Sequence, residues 1–120
     1  MATHTHLVVG AGRMGGALLT GWVAGRRKSV APENLIILDP RPGEAASKVI
    51  DSGALHLTAP SEDVSDAEVV LLAIKPQMFE KLGPQIAEHL PSDCLIISIM
   101  AGITLERLQG MFAGRPSVRA

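Results

Sequence analysis

The sequence LVVGAGRMG, residues 7–15, decides the fold. A short apolar run over 7–10 leads into a helical pattern over 13–25, so a G-x-G-x-x-G motif stands between a strand and a helix. Gly10 permits a tight turn, Gly12 lets a backbone approach a pyrophosphate, and Gly15 lets the helix lie close to the sheet. Amide groups at the start of such a helix favour bound phosphate. The stretch therefore predicts dinucleotide binding, and the alternative is a glycine-rich turn that serves packing alone.

Short apolar runs alternate with amphipathic stretches along the rest of the chain. Further strands are predicted at 35–38, 54–57, 68–74 and 94–99, with another starting at 117, and helices at 43–51, 76–90 and from Thr104 to about Phe112. The helix over 76–90 is expected in two pieces, because Gly83 and Pro84 interrupt it. Alternation of strands and helices predicts an α/β fold, a Rossmann-type doubly wound and mainly parallel sheet with helices on both faces.

The composition bounds the classes of function. The chain has 120 residues, 47% hydrophobic and 19% charged, which suits one globular domain with a core. A net charge of −1 gives no electrostatic footprint for nucleic acid, and the apolar runs are too short to span a membrane. We therefore expect neither nucleic acid nor a membrane as a partner. The single cysteine, Cys94, excludes a disulfide framework, and no signal peptide is visible, so the cytoplasm is the expected location.

The second predicted strand ends at an acidic residue. Asp39 lies at about the spacing after the glycine motif where an acid is expected to accept the adenosine ribose hydroxyls. A carboxylate there repels a 2′-phosphate, which favours NAD. Arg41 follows closely, and its guanidinium would pair with that phosphate, which favours NADP. Both cofactors stay open, as does a third interpretation in which Asp39 and Pro40 only form a turn.

Residues 71–77, LLAIKPQ, place a cation at the end of a buried strand. In parallel α/β sheets, ligands bind beyond the carboxyl ends of the strands. Lys75 and Pro76 are therefore expected at the rim of the ligand crevice. The alternative for Lys75 is a side chain whose stem covers apolar surface while its ammonium group reaches water.

Four segments together resemble a known family. They are GAGRMGGALLTGW, LLAIKPQ, ISIMAGITLERL and SVRA, and in this order and spacing they look like pyrroline-5-carboxylate reductase. The Lys-Pro-Gln after the fourth strand, paired with the Ser-x-x-Ala-Gly after the fifth, is the specific part, because many dehydrogenases share the glycine motif. The resemblance implies reduction of 1-pyrroline-5-carboxylate to L-proline with NADPH or NADH, the last step of proline biosynthesis.

The resemblance also implies which residues bind the cofactor. In the family, they form a pyrophosphate loop, a segment that discriminates the 2′ position, a contact to the adenosine half, a loop beside the nicotinamide ribose and a turn against the nicotinamide ring. The matching positions here are, in that order, Gly10, Gly12, Arg13, Met14 and Gly15; Asp39 and Arg41; Ser61; Ala73, Ile74, Lys75 and Pro76; and Met100, Ala101 and Gly102. Hydride chemistry belongs to the cofactor, so no catalytic residue is assigned, and no metal site is expected.

The chain ends at Ala120, where the family continues into a helical C-terminal domain that makes the dimer and supplies most substrate contacts. Residues 1–120 are therefore expected to form the N-terminal dinucleotide-binding domain, with the C-terminal domain absent from this chain. The parent enzyme is expected to be a homo-oligomer, and the isolated chain to bind cofactor without forming proline. The other hypothesis is a stand-alone dinucleotide-binding module without catalytic activity. The gene sequence after Ala120 would discriminate the two.

Overall fold

The computed structural model describes residues 5–10 and 31–119. Within this part of the chain, six strands form one sheet in which all neighbouring strands are parallel. The strands are His6–Val9 (β1), Leu35–Leu38 (β2), Leu55–Leu57 (β3), Val69–Leu72 (β4), Leu95–Ser98 (β5) and Ser117–Arg119 (β6). Their spatial order is β3-β2-β1-β4-β5-β6. This confirms the predicted doubly wound fold, and the order reverses between β1 and β4, which makes that boundary the topological switch point.

Helices connect the strands. The described residues contain Glu44–Asp51 (α1), Pro76–His89 (α2) and Leu105–Met111 (α3), with short 3-10 helices at Pro32–Asn34 and Glu62–Val64. The helix predicted over 13–25 lies outside the described residues. The helix predicted from Thr104 is confirmed, and the Thr104 hydroxyl caps it by accepting a hydrogen bond from the Arg107 N–H at 3.1 Å.

Two predictions were wrong, one about a break inside a helix and one about the end of a strand. Pro84 does not divide the helix over 76–90, because α2 runs unbroken from Pro76 to His89. A proline removes the helical donor to the carbonyl four residues earlier, here that of Glu80, and both residues lie on the exposed side of α2, where water can replace that donor. The strand predicted over 68–74 ends at Leu72, because the chain leaves the sheet after Ala73 to begin α2.

The central strands are buried on both faces, as is usual in parallel sheets. Alternate residues point to opposite sides, so each strand contributes to two core clusters. One cluster packs Leu7, Val9, Ile36, Leu38, Val70 and Leu72 against Phe79 and Ile86 of α2, Leu108 of α3 and Phe112 just after α3. The other packs Val8, Leu35, Ile37 and Leu71 against Ala46 and Val49 of α1. This two-sided core holds the strand ends in a fixed arrangement.

Candidate functional site

A cavity of about 460 Å³ opens at the carboxyl ends of β1, β2, β3 and β4. It lies at the switch point between β1 and β4, the place where open α/β sheets bind their ligands. Residues just after the strands form one side of its wall, and the first turns of α2 form the other. The described residues that line it are Gly10, Leu38, Asp39, Pro40, Thr58, Ala73, Ile74, Lys75, Met78 and Leu82.

Gly10 lies against the end of β4. Its φ is +88°, and its N–H donates to the carbonyl oxygen of Leu38 at 2.9 Å. A Cβ at this position would lie 2.8 Å from both the carbonyl oxygen of Ala73 and the Cγ2 of Ile74. Position 10 therefore needs glycine for its backbone conformation and also for the close approach of two strand ends. The packing role that was the alternative interpretation of this glycine is present in the structure.

Hydrogen bonds to neighbouring segments hold Asp39 in the cavity wall. Its N–H donates to the carbonyl oxygen of Leu57 at 3.0 Å, and its own carbonyl oxygen accepts from Nε2 of His56 at 2.7 Å. Its carboxylate Oδ1 accepts from the Arg41 N–H at 2.7 Å, which closes a tight turn over Pro40. The turn interpretation and the ribose interpretation of Asp39 are thus compatible, because one residue makes the turn and lines the cavity.

Lys75 stands at the start of α2. It is exposed, lines the cavity, and precedes Pro76 at the first position of the helix. Its carbonyl oxygen accepts from the Met78 N–H at 2.9 Å, which secures the first turn. Met78 and Leu82, one helical turn apart, extend the same wall with apolar surface.

The turn after β5 is built on a buried hydroxyl. Ser98 is fully buried at the end of the strand, and its Oγ accepts from the Met100 N–H at 3.1 Å. Met100 is buried, whereas Ala101 and Gly102 are exposed. These three residues lie outside the wall of the cavity as the described residues define it.

Ser61 caps the 3-10 helix Glu62–Val64. Its Oγ accepts from the Asp63 N–H at 3.3 Å and donates to the Asp63 carboxylate at 2.9 Å. Both hydrogen-bonding roles of this hydroxyl are therefore engaged within its own turn, away from the cavity wall.

The structure brings together five of the residues that the sequence assigned to the cofactor and places six others outside the cavity wall. The five are Gly10, Asp39, Ala73, Ile74 and Lys75; the six are Arg41, Ser61, Pro76, Met100, Ala101 and Gly102. Gly12, Arg13, Met14 and Gly15 lie outside the described residues. Sequence reasoning missed Leu38, Pro40, Thr58, Met78 and Leu82. The position of Thr58 after a predicted strand was a usable signal, whereas the helical spacing of Met78 and Leu82 looks like ordinary core.

The cavity wall fits a nicotinamide dinucleotide. Asp39 offers carboxylate oxygens to hydroxyl donors, and Lys75 offers a positive charge to an anionic ligand. Leu38, Ile74, Met78 and Leu82 supply apolar surface of the kind that buries a planar ring. Position 10 requires glycine, so the backbone beside these groups carries no side chain at that position.

Neither a metal cluster nor a membrane-spanning helix is found among the described residues. In 5–10 and 31–119, no group of three or more His, Cys, Asp and Glu residues is arranged to hold a metal ion. No α-helix in this part of the chain has the length and apolar character needed to cross a bilayer.

Comparison with known proteins identifies the family. Residues 7–102 match the family described as NADP oxidoreductase, coenzyme F420-dependent. The chain belongs to this family. The family description names NADP, and so confirms a nicotinamide dinucleotide as the cofactor class expected from the glycine motif.

Several curated relatives of this chain share a name. The pyrroline-5-carboxylate reductase of Escherichia coli is 31% identical over 101 residues, covering 83% of this chain and 36% of that protein. The pyrroline-5-carboxylate reductase of Thermus thermophilus is 37% identical over 112 residues, covering 93% of this chain and 40% of that protein. These matches confirm the resemblance noted from the sequence motifs. The chain spans about two fifths of the length of these relatives.

A solved structure shares the fold of this family member. The Plasmodium falciparum pyrroline carboxylate reductase, crystallised with NADP bound, superposes with a TM-score of 0.74 at 22% identity. The match covers 98% of this chain and 41% of that one. The likeness extends over the whole sheet and supports the Rossmann-type architecture.

Proposed function

We propose that this chain is the dinucleotide-binding domain of a pyrroline-5-carboxylate reductase, an enzyme that reduces 1-pyrroline-5-carboxylate to L-proline in proline biosynthesis. The cavity at the switch point carries the proposal, because it gathers the ribose-reading acid, the strand-end lysine and the close turn of Gly10 in one wall. The curated relatives named pyrroline-5-carboxylate reductase support the choice of reaction.

The proposed division of labour follows the dinucleotide from end to end. The turn that begins at Gly10 and continues through Gly12, Arg13, Met14 and Gly15 would hold the pyrophosphate. The adenosine half would lie against Asp39, Arg41 and Ser61. The nicotinamide half would lie against Ala73, Ile74, Lys75 and Pro76 and against the turn formed by Met100, Ala101 and Gly102. When bound, the nicotinamide supplies the hydride.

The residues of this chain bind, orient and shield the cofactor in this proposal. Asp39 has its carboxylate fixed by the Arg41 N–H, so its oxygens are presented to the cavity without reorganisation. Lys75 is exposed at the cavity rim, where its charge attracts an anionic ligand through water. The strand ends that precede both residues are anchored by a core that is buried on two faces.

The cofactor preference follows from the two charged side chains of the β2 turn. Asp39 lines the cavity, whereas Arg41 is exposed and lies outside the described wall. A carboxylate in the wall disfavours a 2′-phosphate, and Arg41 would have to swing inward to compensate. We therefore propose that the domain binds both NADH and NADPH, with NADH favoured by Asp39.

The remaining parts of the activity are assigned to the family's C-terminal domain. The curated relatives are more than twice as long as the matched region. Substrate contacts and the homo-oligomer interface are proposed to come from that additional length, and the enzyme is proposed to act in the cytoplasm.

A calorimetric titration of the chain with NADPH and NADH tests the proposal. We expect binding of both cofactors and no proline after addition of 1-pyrroline-5-carboxylate, because the residues that contact the substrate are proposed to lie in the C-terminal domain. Absence of binding to either cofactor would contradict the cofactor role. Proline formation by the chain alone would contradict the division between two domains.

A chimera separates the reductase from a stand-alone binding module, since both bind cofactor. The C-terminal part of the Escherichia coli relative, joined after Ala120, would supply the assigned substrate contacts. Proline formation by this chimera supports the reductase. Cofactor binding without turnover in a folded chimera would favour the stand-alone module.

A further inference from the structure

His56 is a polar side chain within an otherwise apolar layer. It lies in the middle of β3, in register with Ile37 of β2. Its neighbours Leu55 and Leu57 pack against the core on the α2 and α3 side, so His56 points to the opposite face, where Ile37 packs with residues of α1. A half-buried imidazole at such a position calls for a hydrogen-bond partner.

That partner is the backbone of Asp39. Nε2 of His56 lies 2.7 Å from the Asp39 carbonyl oxygen. A carbonyl oxygen can only accept, so Nε2 carries the hydrogen and donates it. The bond joins the middle of β3 to the residue just beyond the end of β2, across the edge of the sheet.

This hydrogen bond stands where the strand ladder stops. The Asp39 N–H makes the last ladder bond, to the Leu57 carbonyl. In a parallel ladder, the Asp39 carbonyl would next accept from the N–H of residue 59, but β3 ends at Leu57. The imidazole supplies a donor to the Asp39 carbonyl instead.

Asp39 is therefore held from two sides. His56 fixes its carbonyl, and the Arg41 N–H fixes its carboxylate. Together these bonds set the direction in which the carboxylate enters the cavity wall, which Asp39 shares with Pro40 and Thr58.

We infer that His56 is a positioning residue for cofactor discrimination, acting through Asp39. The inference rests on the proposed function, in which the Asp39 carboxylate accepts ribose hydroxyls and repels a 2′-phosphate. If the position of the carboxylate were no longer fixed, its hydrogen bonds to NADH would weaken, and so would its repulsion of the 2′-phosphate of NADPH. Removal of the His56 donor therefore weakens NADH binding and leaves NADPH binding unchanged or slightly tighter.

His56→Phe tests the inference, because it keeps a planar ring and removes the donor. We expect the affinity of the full chain for NADH to fall by about fivefold, the loss of one ordinary hydrogen bond, while that for NADPH changes by less than about twofold. His56→Gln, which retains an N–H donor, should recover part of the NADH affinity. His89→Phe, on α2 away from the cavity wall, is the matched control and should leave the ratio of the two dissociation constants as it is.

A double-mutant cycle with Asp39→Ala identifies the route of the effect. If His56 acts through Asp39, His56→Phe should no longer change the NADH to NADPH ratio when Asp39 is alanine. Persistence of the effect in that background would overturn the inference, as would an unchanged ratio in His56→Phe accompanied only by a lower melting temperature. If His56→Phe does not fold, His56→Leu carries the same expectation, because it too lacks a donor.

The two proposals fail in different ways. If the unmodified chain binds neither cofactor, the proposed function is wrong. If it binds both cofactors and substitution of His56 does not change the ratio of the two dissociation constants, only the role of His56 is wrong.

Discussion

Two regions of this molecule use polar groups in opposite ways. The cavity rim consists of Gly10, Asp39, Ala73, Ile74 and Lys75, and it holds charged side chains at the edge of an open space. The α2–α3 corner consists of Phe79, Leu90, Phe112 and Arg115, and there the charged group is turned inward onto the backbone. The comparison separates residues that hold the fold from residues that are available to a ligand.

Arg115 is the charged residue whose side chain binds the protein's own backbone. Its guanidinium donates four hydrogen bonds to main-chain carbonyl oxygens, those of Pro91 at 2.7 Å, Phe112 at 3.0 Å, Leu90 at 3.0 Å and Ala87 at 3.2 Å. Three of these carbonyls lie at or just beyond the C-terminal end of α2, where helical carbonyls lack partners and a cation is favoured. The rings of Phe79 and Phe112 pack nearby with centroids 6.2 Å apart.

Lys75 is the charged residue whose side chain is available to a ligand. It is exposed at the N-terminal end of the same helix, in the wall of the cavity. A cation there gains nothing from the helix dipole, whose positive end is at the N-terminus. The placement is thus explained better by a ligand than by stability, and the following predictions test this division in order of expected effect.

Gly10→Ala should do the most damage, because position 10 serves both fold and site. The substitution puts a Cβ 2.8 Å from backbone and side-chain atoms of β4's end and strains a φ of +88°. We expect a loss of roughly 3–5 kcal/mol in the free energy of unfolding, measured by urea denaturation. Gly114→Ala is the matched control, since its φ is +80° and no atom of the described residues lies within 4 Å of the added Cβ. Equal losses in the two variants would show that strain alone, and not the close approach, restricts position 10.

Arg115→Met should destabilise the fold without changing cofactor affinity per folded molecule. It removes four hydrogen bonds to carbonyl oxygens, of which those of Phe112 and Ala87 still accept from the backbone N–H groups of Arg115 and Leu90. We expect a loss of about 2–4 kcal/mol. Arg119→Met, on the exposed edge strand β6, serves as control and should stay within about 0.5 kcal/mol of the parent. A substantial drop in cofactor affinity at temperatures where Arg115→Met is fully folded would break the proposed separation.

Lys75→Met should give the reverse pattern. We expect about a tenfold loss of NADPH affinity at low salt, with stability within about 0.5 kcal/mol of the parent. Lys81→Met, also exposed on α2 but outside the described cavity wall, should lose much less affinity. Titrations at two salt concentrations sharpen the test, because the advantage of Lys75 over methionine should shrink as salt rises. Equal affinity of the two variants would favour the interpretation of Lys75 as a side chain that merely covers apolar surface.

A pair of threonines gives the smallest and finest contrast. Thr104→Ala removes the cap of α3 and should cost about 1 kcal/mol of stability. Thr58→Ala, at an exposed position in the cavity wall, should cost less than about 0.5 kcal/mol. Chemical denaturation of both variants measures the difference. A larger loss for Thr58→Ala would show that the cavity wall also carries stability.

Local sequence signals predicted those parts of the fold that depend on neighbours along the chain. The strand LIIL at Leu35–Leu38, the cap at Thr104 and the alternation of strands and helices were readable, because burial on both faces and capping leave patterns within a few residues. The unbroken course of α2 through Pro84 was not readable. It depends on which side of the helix faces water, and only the packed structure decides that.

The candidate site shows the same limit. Gly10, Asp39 and Lys75 could be assigned from motifs and strand ends, since parallel strands bring their carboxyl ends to one edge. Met78 and Leu82 could not, because side chains of a helix reach the cavity only when α2 is placed beside the strand ends. His56 is the clearest case, because its residue type on a short weak strand carries no signal until its bond to Asp39 is seen.

The sequence by itself determined the α/β class, the family and the positions at which strands deliver polar residues, because hydrophobic periodicity, glycine spacing and strand ends are local properties of the chain. The tertiary structure alone decided which of those residues share a wall, that Arg115 donates to main-chain carbonyls, and that an imidazole completes the end of β2. These outcomes depend on contacts between distant segments, which form only when the strand order and the two-sided packing of the sheet are in place.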